Sequence, residues 1–132
     1  MSDVGEIHHV ELWVADLAEA QVSWGWLLPA LGYHLADTWP SGCSWARGAT
    51  YLVLESGPDV QDDRHDRRRP GMNHLAFHAG TAENMETLAL EAQHHGWSLL
   101  FADRHPFAGG ASHRAAYLEN GEGFEVELVA SA

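Results

Sequence analysis

The segment Ile7-His8-His9-Val10-Glu11-Leu12-Trp13-Val14 alternates between two chemistries. Successive side chains of a β-strand point to opposite faces. Ile7, His9, Glu11 and Trp13 therefore share one side, and Val10, Leu12 and Val14 the other. The aliphatic side suits packing beneath a helix. The side with His, Glu and Trp is too polar for a dry core and suits the floor of a cleft.

The alternation returns twice. Asn73-His74-Leu75-Ala76-Phe77-His78-Ala79 sets His74 and His78 against Leu75, Phe77 and Ala79. Phe124-Glu125-Val126-Glu127-Leu128-Val129 sets Glu125 and Glu127 against Phe124, Val126 and Leu128. Three strands each offer one greasy face and one bearing His or Glu.

The segments between them repeat as well. Asp16 followed by Glu19 is a capping-box-like helix start. Leu17, Ala20, Trp24, Leu27, Leu28 and Leu31 form a helical stripe that Gly32 closes, with Pro29 loosening the last turn. Residues 33–39, 43–47 and 50–55 read as strands. Residues 57–71 contain Pro58, Pro70 and the run Asp62-Asp63-Arg64-His65-Asp66-Arg67-Arg68-Arg69, which reads as a solvated linker. Thr81 then opens a second helix with Met85, Leu88, Ala89 and Ala92 inward, and Gly96 closes it. Strands at 97–102 and 113–119 flank a loop, and Asn120-Gly121-Glu122-Gly123 turns into the last strand. His9 to His74 is 74 − 9 = 65 residues, and Gly32 to Gly96 is 96 − 32 = 64. The near-constant offset means one βαβββ unit written twice. The expected fold is α+β: two paired βαβββ modules forming a cupped mixed-sheet cleft with helices outside. It spans a single domain over 1–132, with module one at about 6–57, a linker at 58–71 and module two at about 72–129.

Charge narrows the partners. A formal net charge of −12 in 132 residues opposes nucleic acid and anionic membrane surfaces, both of which call for a basic patch. One cysteine, Cys43, allows no internal disulfide, and no signal-peptide pattern is visible; both fit a reduced, cytoplasmic setting. A small-molecule substrate or ligand is the expected partner.

Two imidazoles and one carboxylate on neighbouring strands form a common divalent-metal site, suited to Fe, Mn, Co, Ni or Zn, with positions left open for substrate. His9, His74 and Glu127 are the expected ligands. The motifs at 8–17, 73–77 and 123–129 resemble the vicinal oxygen chelate superfamily, which includes glyoxalase I, extradiol dioxygenases and bleomycin-resistance proteins. The resemblance covers roughly 6–129. It implies paired βαβββ modules, metal ligands at His9, His74 and Glu127, and a homodimer. Four-ligand members carry a further Glu on the fourth strand of the first half. Leu54 falls at that position here and Glu55 on the opposite face, which implies a three-ligand site.

Glu11, His78 and Glu125 share the polar faces and are candidate proton carriers or partners of the ligands. Trp13, Trp45, Tyr51, His105, His113 and Tyr117 are candidate ligand contacts. Three functions fit. One is a metal-dependent isomerase, lyase or dioxygenase. The second is a metal-free protein that sequesters an antibiotic or other aromatic compound. The third is a scaffold that kept only the fold.

Overall fold

The computed structural model describes residues 2–131. Strand β1 (His9–Trp13) leads into helix α1 (Leu17–Ala30), followed by β2 (His34–Trp39), β3 (Gly42–Arg47) and β4 (Thr50–Glu55). The second module repeats this with β5 (Leu75–His78), α2 (Ala82–Ala92), β6 (Trp97–Leu100), β7 (Ala115–Asn120) and β8 (Glu125–Val129). Each module forms a four-stranded sheet, β1-β4-β3-β2 and β5-β8-β7-β6, with its first and last strands parallel.

The helix ends follow the local chemistry read from sequence. Asp16 accepts the backbone N–H of Glu19, and Thr81 accepts that of Asn84, so each helix has a side-chain N-cap. Strand β6 stops short of the expected residue 102. Phe101 adopts a left-handed backbone (φ 53°), which an extended strand cannot hold.

Both sheets turn their aliphatic faces into one core. Leu12, Val14, Leu52 and Leu54 meet Ala20, Trp24, Leu27 and Leu28 of α1, and the same cluster continues to Met85, Leu88, Trp97, Leu118, Val126 and Leu128. Across the seam, Trp24 packs edge-on against Trp97 with ring centroids 5.2 Å apart. The Trp97 indole N–H donates to the Ser23 carbonyl at 3.1 Å.

The inter-module segment departs from the solvated linker expected. Its backbone docks on the β7–β8 turn, where the His65 N–H donates to the Glu122 carbonyl at 2.8 Å. The His65 ring stacks on Phe124 with centroids 4.5 Å apart. Arg67 lies 3.0 Å from Glu119 and 3.2 Å from Glu125. Arg64 and Arg67 find their partners more than fifty residues away, beyond the reach of a local pattern. Among the described residues, no helix is long and apolar enough to cross a membrane.

Candidate active site

The open face of the second sheet carries a compact polar cluster centred on Glu127. Ala76, Glu127, Tyr117 and Leu100 lie side by side across β5, β8, β7 and β6. Glu127 is only 5% exposed although it faces away from the core, because three side chains cover it. His74 Nε2 lies 2.9 Å from Oε1, His113 Nε2 bonds Oε2, and the Tyr117 hydroxyl donates to the same carboxylate. Burial alone would raise the Glu127 pKa. The hydrogen bonds from His113, Tyr117 and His74 outweigh it, so the carboxyl titrates below its usual range and the anion is favoured. Burial, reinforced by the neighbouring Glu127 and Glu125 carboxylates, pushes Tyr117 up to about 12, which keeps it a neutral donor.

One strand-pair earlier sits Glu125, 3% exposed. Arg67 Nη1 is within ion-pair distance but poorly aligned for a hydrogen bond, and His74 Nδ1 is 4.0 Å from the other oxygen. Burial raises the Glu125 pKa against the opposing pull of Arg67 and His74. His74 itself is oriented by Asn73, whose Oδ1 lies 2.7 Å from Nδ1.

The open face of the first sheet is built in the same register but holds a different set. His9 pairs with Tyr51 and stacks on it, rings 4.8 Å apart and nearly parallel. His9 Nδ1 is 2.9 Å from His8 Nδ1. Glu11 accepts the Trp13 indole N–H at 2.7 Å, and Trp13 is half-exposed.

The structure thus brings His74, Glu127, His113 and Tyr117 together, with Glu125 beside them. It places His9, Glu11, Trp13 and Tyr51 on the other sheet. Among the described residues of one chain, no group of three His, Cys, Asp or Glu side chains is arranged to hold a metal ion. His74 and His113 bond different oxygens of Glu127, and His9 lies on the other sheet. Trp45 does not reach the cleft. Its position on β3 faces the core, where it is 8% exposed. His105 bonds Glu86 of α2 at 2.5 Å instead of the Glu127 cluster. His78 is exposed on the open face of β5.

The fourth strand of the first module also needs correction. Leu54 is fully buried in the core, and Glu55 lies on the same face as His9, paired with Trp13. A register error of one residue exchanges faces. The residue matching Glu127 is Val53: Glu127 lies two beyond the His74-paired position, and Val53 two beyond Tyr51. Glu55 is occupied by Ser41 and Trp39, which bond it at 2.5 and 2.9 Å and lower its pKa. The first module therefore still lacks a carboxylate matching Glu127.

A feature that local sequence could not reveal adjoins the cluster. An open cavity of about 830 Å³ lies between the inter-module strap, Trp13 at the end of β1, and Glu119 and Glu122 of the β7–β8 hairpin. Arg67 borders both this cavity and Glu125.

With fold and cluster defined, comparison with known proteins places the chain. Residues 8–117 match the model of the Glyoxalase/Bleomycin resistance protein/Dioxygenase superfamily. The protein belongs to that superfamily. It is 41% identical over 126 residues to the uncharacterized protein YqjT of Bacillus subtilis (strain 168), covering 94% of this chain and 98% of that one. A candidate glyoxalase from Bacillus halodurans, solved as a crystal structure, is 42% identical, with a TM-score of 0.91 and 97% of each chain covered. The lactoylglutathione lyase of Agrobacterium tumefaciens shares the fold at 18% identity, with a TM-score of 0.66 and 98% and 96% of the two chains covered.

Proposed function

We propose that this protein is a metal-dependent small-molecule enzyme of the superfamily, of the lyase, isomerase or dioxygenase type. A divalent ion would be held by His74 and Glu127 of one chain and His9 supplied by a second copy. The observation carrying this reading is the matched register of His9 and His74 on two open sheet faces, with a carboxylate favoured as the anion at Glu127. The donor set of two imidazoles and a carboxylate fits Fe, Mn, Co, Ni or Zn. The split of the donors between sheets supports a homodimer in which one copy's first sheet covers the other's second. Trp13 and Trp39 are exposed on the open face of that first sheet and would be covered by such a dimer.

Bound there, the ion would act as a Lewis acid toward a substrate oxygen. The chain's own groups would do the rest. Tyr117 and His113 hold Glu127 in place. His78 stands on the same open face, without a hydrogen bond among the described contacts, and is free to carry a proton. Glu125, clamped by Arg67, is better suited to orienting than to proton transfer. The single free Cys43, buried, fits a cytoplasmic setting.

The test is elemental analysis and mass determination in solution on protein prepared without tag or chelator, beside His9→Ala and Glu127→Ala. About one transition metal per chain in a dimer, lost in both variants, is expected. A wild type that takes up none of Fe, Mn, Co, Ni or Zn ends this reading. It would instead favour a metal-free binder of aromatic compounds, for which the half-exposed Trp13 beside the His9–Tyr51 stack is the specific support. Quenching of tryptophan fluorescence by a panel of aromatic antibiotics would then test that alternative.

A further inference from the structure

We infer that Asn73 is a positioning residue that commits His74 to binding metal through Nε2, and that the inter-module strap holds Asn73 in that role. The inference rests on the metal reading above and assigns a task to residues outside the ligand set.

Asn73 is exposed, yet both ends of its amide are engaged. Nδ2 donates to the Arg67 carbonyl at 3.0 Å. That bond settles which way the amide faces, because only the NH2 end can donate to a carbonyl. Oδ1 then points at His74 Nδ1, 2.7 Å away. An amide oxygen can only accept, so Nδ1 carries a proton. The other ring nitrogen, Nε2, faces Glu127 Oε1 at 2.9 Å and hydrogen-bonds it. A metal held by both groups would take the place of the proton between them. Fixing one ring nitrogen as a donor to free the other as a ligand is the usual way a histidine is prepared for metal.

The strap makes this arrangement stiff. Arg67 supplies the carbonyl that orients Asn73, and its own guanidinium is tied to Glu119 at 3.0 Å and to Glu125 at 3.2 Å. The same residue thus anchors the main chain beside Asn73 and the buried carboxylate 4.0 Å from His74 Nδ1. The segment joining the modules is on this account part of the site's supporting shell, as well as a connection.

The experiment titrates chelator-treated full-length protein with Zn(II) in a calorimeter, comparing wild type with Asn73→Leu and Asn73→Asp. The expected result is affinity weakened roughly 10- to 100-fold in Asn73→Leu, the range seen when such supporting partners are removed. Asn73→Asp keeps an acceptor for Nδ1 but loses the donor to the Arg67 carbonyl, so its affinity should fall less than that of Asn73→Leu. Ring-nitrogen NMR of the Zn(II)-loaded wild type gives a readout independent of any variant: His74 should show metal on Nε2 and a proton on Nδ1. Wild-type binding with unchanged affinity in Asn73→Leu, or metal on Nδ1, overturns the inference alone. A wild type that binds no Zn(II), Fe(II), Mn(II), Co(II) or Ni(II) overturns the metal reading and this inference with it.

Discussion

Glu122 Oε2 accepts the backbone N–H of Ala15 at 3.1 Å, so a carboxylate from the second module's hairpin covers the entry to the first module's helix. Glu122 is 5% exposed, and its other oxygen has no hydrogen-bond partner among the described residues. Burial raises its pKa; the N–H groups of Ala15 and Asp16 oppose this, and Glu19 and Asp16 add to it. With a raised pKa, the folded state holds a proton that the unfolded state has already lost. Stability from this group is complete below the ordinary glutamate pKa and falls as pH climbs through the raised value. Glu122→Gln should therefore melt higher than wild type at neutral pH. The gap should close as pH drops toward 4, and thermal melts across that range check both halves of the statement.

Trp97→Phe should cost about 1–3 kcal/mol. The ring largely remains, but the Ser23 carbonyl loses its donor in a buried seam. Urea unfolding measures it. A loss near zero would mean that water replaces the indole N–H.

Two arginines of the strap should behave in opposite ways. Arg69 and Asp66 form an exposed pair, and Arg69→Ala should change stability by under ~1 kcal/mol. Arg67 is half-buried and faces the nearly inaccessible Glu125, so Arg67→Leu leaves a buried carboxylate without its cation and should cost about 3–5 kcal/mol. Comparable effects of the two substitutions in urea would show that the strap does not dock in solution.

Gly109 is pressed against the cluster. A Cβ there would stand 2.5 Å from the Tyr117 hydroxyl and 2.6 Å from His113 Cδ2. Gly109→Ala should displace both side chains from Glu127, with a stability cost of about 1–3 kcal/mol. Zn(II) affinity should fall with it. Melting temperature and calorimetric titration on the same sample separate the two effects.

Much of this was legible in the sequence because the signals were short-range. Alternation gave the two faces of β1, β5 and β8, and Asp16 and Thr81 marked the helix starts that the caps adopt. The constant offset between His9 and His74 gave the repeat. The failures share a different cause. Whether Leu54 or Glu55 faces the cleft turns on a one-residue register that no residue near 51–55 announces. His113 as a partner of Glu127, and Arg67 as a partner of Glu119 and Glu125, depend on contacts 14 to more than fifty residues apart. Trp45 has the composition of a ligand platform, and only the pleat of β3 sends it inward.

The edge-on pair of Trp24 and Trp97 has a consequence for the chain's history. Duplication alone would leave either copy open to loss, exchange or independent drift. Here each copy has handed a tryptophan to the other, and the bond from Trp97 to Ser23 joins them further. Substitutions at this seam must be matched across the duplication, whereas the two open faces already carry different chemistries, His9 with Tyr51 on one and His74 with Glu127 on the other.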